Sequence, residues 1–312
     1  MSVVCFGELL IDFVALEHGV SVGDASGFKK APGGAPANVA VAVKRLGHGA
    51  AFLGQVGDDP FGHYLTGVLR DEGVDVSGLR RSTEARTALA FVSLTKAGER
   101  SFVFYRHPSA DMLMRPEDVA LEVLQGKKIF HFGSITLINE PCRSATLMAA
   151  RAAASQQMLI SYDPNLRLSL WPGAEAARQE MWTGFNYAHI VKISEEEVEF
   201  LTGGQDIAPL WREQTQIIAV TRGANGATVH SRKEAVEVPG FAVTAQDTTG
   251  AGDAFMAGML VGVLENPDNY LLKLREITRF ANAVGAMATM NLGAIPSLPT
   301  REAAEHFLKT PR

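Results

Sequence analysis

The chain has 312 residues, enough for two domains of about 150 residues each or one large α/β unit with an insertion, and it can fill a core without a disulfide or metal staple. Lys and Arg total 29 against 34 Asp and Glu, a net charge of −5 with no basic run, so a dedicated nucleic-acid binder is disfavoured. The two cysteines, Cys5 and Cys142, form no CxxC and no disulfide framework, which fits a reducing cytoplasm.

The N-terminus lacks a Lys/Arg n-region and carries Glu8 and Asp12 where a signal peptide wants its apolar core. Val3–Phe6 therefore reads as a buried first strand ending at Gly7. Glu8–Val14 continues extended and breaks up near Glu17–Gly27. Pro36–Leu46 is a helix, with Lys44 and Arg45 in its last turn and Gly47 as its stop. Ala51–Val56 is a strand, followed by a turn at 57–60 and a helix, Gly62–Glu72, closed by Gly73. Thr87–Leu94 alternates, turns at Lys96–Glu99 and returns through Ser101–Tyr105 as a hairpin. The runs Lys128–Phe132, Leu159–Tyr162, Ile190–Lys192, Ile217–Thr221 and Gly226–His230 read as strands. Helical stretches lie among them at Pro141–Gln156, Ala174–Asn186, Glu195–Thr202 and Gly252–Leu264. Phe280–Thr300 carries no charge, but Asn282, Gly285, Asn291, Pro296 and Pro299 make it a buried helix followed by a loop, not a membrane span. Strands alternating with helices predict an α/β fold, a mostly parallel sheet covered on both faces. The segments 13–31 and 87–106 break the alternation and read as a small β lid on a single domain spanning 1–312.

Glycine is the one composition outlier: 30 residues, about one in ten against a usual ~7%. One cluster, Pro32-Gly33-Gly34-Ala35-Pro36-Ala37-Asn38, opens a helix; its backbone can approach a ligand and Asn38 offers both a donor and an acceptor, as a polyol requires. A second, Asp247-Thr248-Thr249-Gly250-Ala251-Gly252-Asp253, follows a turn at Pro239–Gly240 and a short strand, and it also opens a helix. Consecutive N–H groups at a helix start form an anion site. Asp253 in that first turn is either a dipole stabiliser or a base beside the anion hole. A third cluster, Thr221-Arg222-Gly223-Ala224-Asn225-Gly226, is a Gly turn after a strand and reads in isolation as a hairpin turn. There is no GxxxxGK[ST], no GxGxxG after the first strand, no GxSxG and no HExxH. The tryptophans Trp171, Trp182 and Trp211 read as helix anchors, and Phe102, Phe104 and Tyr105 as lid packing or dimer contacts.

Together, GGAPANVAVAVKRLG followed by FLGQVGDDPFG, and DTTGAGDAFMAGML about 200 residues later, resemble the PfkB, or ribokinase-like, carbohydrate kinase family across nearly the whole chain. Within it, GELLIDF, FYRHPSADMLM, DPNLRLSLWP and VKISEEEVEFLTG are most similar to fructokinases. The resemblance implies a three-layer α/β/α fold and transfer of the γ-phosphoryl of ATP to a sugar CH₂OH, with D-fructose first and ribose or 2-keto-3-deoxygluconate as alternatives. It implies Asp253 as base, with Gly250, Ala251 and Gly252 as anion hole and Arg167 beneath the transferring phosphate. Asp12, Gly33, Gly34, Asn38, Arg106 and Asn165 are implied to hold the sugar, and Lys192, Thr221, Arg222, Gly223, Gly226 and Asn282 the nucleotide. Mg²⁺ is implied near Glu197 through water, although Ser194 stands where ribokinases carry asparagine. A monovalent cation, K⁺, is implied at Asp247, Thr249, Asn291, Gly293 and Ser297, and a homodimer through the lid is expected. Expected partners are the sugar and ATP, with neither nucleic acid nor membrane. A non-catalytic sugar-binding regulator on the same fold and a nicotinamide-dependent oxidoreductase are the competing classes.

Overall fold

The computed structural model describes residues 2–94 and 100–309. In the first half lie β1 (Ser2–Phe6), β2 (Leu10–His18), β3 (Phe28–Gly33), α1 (Ala35–Arg45), β4 (Gly49–Gly57), α2 (Pro60–Asp71), β5 (Leu79–Ser82), β6 (Leu89–Leu94), β7 (Arg100–Tyr105), β8 (Ile129–Gly133) and α3 (Cys142–Ser155). They are followed by β9 (Leu159–Asp163), α4 (Ala174–Phe185), β10 (Ile190–Ser194), α5 (Glu195–Thr202), β11 (Ile217–Thr221), β12 (Ala227–His230), β13 (Ala235–Val238), α6 (Ala251–Glu265), α7 (Leu274–Ala288), α8 (Ala294–Ser297) and α9 (Arg301–Lys309).

Nine strands form one sheet in the order β13-β12-β11-β10-β9-β8-β1-β4-β5. Pairing is parallel throughout except at β11–β12 and β12–β13, which are antiparallel. The side-chain period of two distributes alternate residues to the two faces. Val3 and Cys5 of β1 join one core with α1, α2, α6 and α7, while Val4 and Phe6 join the other with α3, α4 and α5. The result is the expected three-layer α/β/α arrangement. Helix α6 is buried almost all round, which explains why its sequence shows no polar face. Both cysteines are buried free thiols.

The lid is a second sheet in the order β3-β2-β6-β7, with β2–β6 parallel and the outer pairs antiparallel. Its strands begin at Leu10 and end at Tyr105, close to the expected limits, but residues 19–27 are turn and loop between two strands. The anticipated hairpin turn at 96–99 lies outside the described residues. Two further expectations are corrected. Residues 239–248 form no strand; they are irregular and tied back through the N–H groups of Gln246 and Asp247 to the Thr289 carbonyl. The loop anticipated after Ala288 contains the short helix α8. Among the described residues no helix is long and apolar enough to cross a membrane.

Candidate active site

Both glycine clusters that open helices arrive at the C-terminal ends of the parallel strands. Gly34, the residue before α1, has φ 111°, and Gly250, the residue before α6, has φ 78°; an L side chain is disfavoured at both. The two helix starts face each other across a cavity of about 160 Å³ lined by Asp12, Gly34, Asn38, Asn165, Arg167, Lys192, Gly250, Gly252 and Asp253, together with Glu8, Phe102, His131 and Asp163. A larger cleft of about 870 Å³ lies beyond, lined by Thr221, Arg222, Gly223, Gly226 and Asn282 and by the irregular 239–245 segment. Thr248 and Gly252 line both. The N-terminal turn of α6 is therefore the partition between the two chambers.

Asp253 sits in that turn, 7% exposed, and its Oδ2 accepts a 2.7 Å hydrogen bond from Asn38 Nδ2 of α1. The reference carboxylate would be ionised without tuning. Here burial dominates and raises Asp253 to about 6; Asp163 raises it further, while Asn38, Lys192 and Arg167 act the other way. A base must be ionised to accept a proton. kcat/KM is therefore expected to be flat at neutral pH and to fall about tenfold per pH unit below the Asp253 value of about 6. A pH–rate profile with no acid limb above pH 5, a value well under that pKa of about 6, would contradict this.

Lys192, in the middle of β10, was expected with the nucleotide residues and instead lines the smaller cavity. Its ammonium donates to both oxygens of Asp163 at 2.9 and 2.8 Å, and the two side chains are buried. A Cβ on Gly252 would lie 3.0 Å from Lys192 Nζ, so a side chain there would press on the ammonium where it meets the helix start. Positive charge and helix N-terminus thus converge on one anion position. One of the three N–H groups assigned to the hole, that of Ala251, also closes the turn onto the Thr248 carbonyl at 3.3 Å.

Asn165 adopts a left-handed backbone with φ 45°, and Arg167 is exposed, 5.9 Å from the Phe102 ring of β7. Phe102, read from sequence as lid packing or a dimer contact, lines the cavity. Glu197 also differs from expectation. Its Oε1 accepts from Leu166 N at 2.6 Å and its Oε2 from Ser194 N at 2.9 Å, forming a capping box for α5 and pinning the 164–167 segment. It lines neither chamber. The acidic side chain of α5 that does reach the larger cleft is Glu195.

In that cleft, the 222–226 turn joins β11 to β12, as its sequence in isolation suggests, and lines the cleft as well. Arg222 donates to Glu237 at 2.8 Å, and its Nε is buried without a partner. Asn282 spends its amide donors on the Val238 and Pro239 carbonyls, at 3.1 and 3.0 Å, fixing the cleft wall. None of the three tryptophans lines the cleft. At its edge, Asp247 accepts from Thr249 N and Oγ1 at 2.9 and 2.6 Å and from Gly293 N at 2.9 Å, which ties the 247–250 loop to the segment before α8. Ser297 is buried, donating to the Ala294 carbonyl, whereas Asn291 is exposed.

At the other end of the smaller cavity, a Cβ on Gly33 would collide with the Asp12 carboxylate and one on Gly34 with the Glu8 carbonyl. Arg106 does not reach the cavity. It is 4% exposed and its guanidinium is paired with Asp111 behind the wall. Sequence reasoning missed three lining residues: Glu8 lies just beyond β1, His131 sits in the middle of β8 within an apolar run, and Asp163 closes β9. Burial first, and then the Lys192 ammonium, push His131 down to about 3, so it is neutral at neutral pH.

A family model described as pfkB family carbohydrate kinase matches residues 1–301. The chain is 51% identical to the probable fructokinase-2 of Arabidopsis thaliana, covering 98% of this chain and 95% of the relative. Its fold is similar to the Xylella fastidiosa fructokinase solved with bound ATP, at TM-score 0.92 and 36% identity over 99% of this chain and 98% of that one. It is also similar to the Vibrio cholerae O395 fructokinase with fructose, ADP and calcium ion, at TM-score 0.88 and 36% identity over 99% of both chains. A double mutant of that enzyme was solved with fructose, ADP and potassium ion. The chain belongs to the pfkB family of carbohydrate kinases.

Proposed function

We propose that the chain is an ATP-dependent sugar kinase that converts D-fructose to fructose 6-phosphate. The observation that carries this reading is the partition: the first turn of α6 lines both chambers and holds Asp253 on the smaller side. A donor in the larger cleft and an acceptor in the smaller cavity meet at that turn. Phosphoryl transfer asks chiefly for positioning and charge neutralisation. Arg167 and the α6 N-terminus bring positive potential to the meeting point, and Lys192 sets donor N–H groups beside Gly252. Asp253 takes the proton of the sugar CH₂OH as its oxygen attacks the γ-phosphorus and the bond to the β-phosphate oxygen breaks. The lid, through Phe102, covers the acceptor and limits attack by water.

Among the described residues no group of three or more His, Cys, Asp or Glu is arranged to hold a metal. This donor set fits a divalent ion carried on the nucleotide phosphates with water as its remaining ligands, as Mg²⁺ prefers. Of the two carboxylates of the cleft wall, Glu195 and Glu237, the second accepts from Arg222, so Glu195 is the one proposed to meet such waters. When bound, the ion offsets charge on the phosphates. The 247–249 loop and the segment from Asn291 to Ser297 are proposed to take a monovalent cation, supported by their linkage through Asp247 and Gly293. A homodimer through the lid is supported by the exposed apolar side chains Leu16, Val103 and Tyr105. A cytoplasmic location accords with two buried free thiols.

A coupled ADP-release assay over a sugar panel tests the assignment. Fructose is expected to exceed ribose and 2-keto-3-deoxygluconate in kcat/KM by at least about tenfold. Ribose exceeding fructose by the same margin would overturn it.

A further inference from the structure

Four carboxylates line the smaller cavity: Glu8, Asp12, Asp163 and Asp253. Asp253 is the base, Asp163 neutralises Lys192, and Asp12 packs against the Gly33 backbone beside the acceptor. Glu8 has no task in the chemistry, yet it is held in place with care. It follows β1, is 4% exposed, and its Oε1 accepts a 3.0 Å hydrogen bond from Ala35 N in the first turn of α1. Arg106, buried and clamped by Asp111, supplies an opposing charge from behind. The other oxygen, Oε2, is buried and has no hydrogen-bond partner. Burial raises Glu8 to about 7, against the lowering effects of Arg106 and the Ala35 N–H. A buried carboxylate oxygen left unsatisfied in a polar cavity marks a place where a donor is missing.

The position of that donor follows from α1. Ala35 N holds Glu8, and one turn on, the Asn38 side chain holds Asp253. The two carboxylates also have separate electrostatic neighbours: Arg106 and Asp111 for Glu8, and Asp163, Lys192 and Arg167 for Asp253. Glu8 therefore belongs to the end of the acceptor cavity away from the reacting CH₂OH. We propose that Glu8 Oε2 is a specificity-determining acceptor, which receives a hydrogen bond from a sugar hydroxyl other than the one phosphorylated. Arg106 and Asp111 act through Glu8 as positioning residues. The hydroxyl proton stays on the sugar, and no bond is made or broken at this end. The proposal rests on the sugar-kinase reading above.

A site built around a hydrogen-bonded hydroxyl rejects the analogue that lacks it far more strongly than a merely snug one. The test measures kcat/KM for fructose and for 1-deoxy-, 3-deoxy- and 4-deoxyfructose, with the native chain and with Glu8→Gln. The amide oxygen of glutamine keeps the Ala35 bond and turns a donor toward the sugar. The native chain is expected to disfavour one deoxy sugar by at least about tenfold, and that ratio is expected to collapse in Glu8→Gln, with the sugar KM raised and the ATP KM unmoved. A merely structural role would lower all four sugars alike. A native chain indifferent to every deoxy sugar, or a variant that keeps the native ratio, overturns the proposal. Should Glu8→Gln not fold, Glu8→Asp, which draws the carboxylate back by one methylene, is read by the same ratio. A native chain that phosphorylates no sugar overturns the kinase reading and this proposal together; turnover with unaltered discrimination overturns this proposal alone.

Discussion

Asp253→Asn lowers kcat by about 10²–10⁴, the range for loss of a general base, while fructose and ATP still bind. The substitution keeps an oxygen to accept from Asn38 and nearly the same volume, so the α1–α6 contact survives. What it removes is the proton acceptor. Single-turnover kinetics with calorimetric binding of each substrate separate the two effects. The acid limb near pH 6 should vanish along with the carboxylate that produces it. Turnover within about threefold of native, a loss far below the general-base range, would remove Asp253 from the chemistry and revive the reading of a first-turn carboxylate that only steadies the helix dipole.

Lys192→Met carries the second large effect, on stability as well as activity. Asp163 is 2% exposed and both its oxygens accept from Lys192. Removing the ammonium strands a buried charge, a change that typically costs about 3–5 kcal/mol. Urea unfolding at pH 8 should show a loss of that order. The double variant Lys192→Met/Asp163→Asn should regain most of it, because replacing both partners leaves no uncompensated charge. Turnover should not return with it, since the cation beside Gly252 is still missing. A double variant no more stable than the single one would mean that the pair contributes packing and not charge compensation.

Much of the fold is legible locally. The α5 limits agree with the expected Glu195–Thr202, and the structure shows what sets them: a capping box of Ser194 and Glu197 at the start and a left-handed Gly203 at the end. The β2 and β3 limits were less clear, because a lid strand exposed on one face lacks the continuous apolar run of a central strand. The strand expected between Gly240 and Asp247 is absent, because an apolar stretch lining a cleft has the composition of a strand without its pairing. At the site, both glycine clusters were legible because their backbones require what only glycine offers. Arg106 was misplaced for the opposite reason: nothing in FYRHPSAD states that Asp111 will turn the guanidinium away from the cavity. The same holds for Glu197, whose carboxylate oxygens are claimed by backbone N–H groups of Leu166 and Ser194.

The sequence by itself determined the strand and helix alternation, the two helix starts open to ligand, and the carboxylate at the second of them. These rest on short-range physics: side-chain period, backbone dihedral preference and capping. Only the tertiary structure decided which charges meet. It set Lys192 on Asp163, Asn38 on Asp253 and Arg106 on Asp111, and it left one oxygen of Glu8 buried and unpaired. Burial and partner choice depend on residues far apart in the chain (215 positions in the case of Asn38 and Asp253), and they moved Asp253 from an ordinary carboxylate to one titrating near 6.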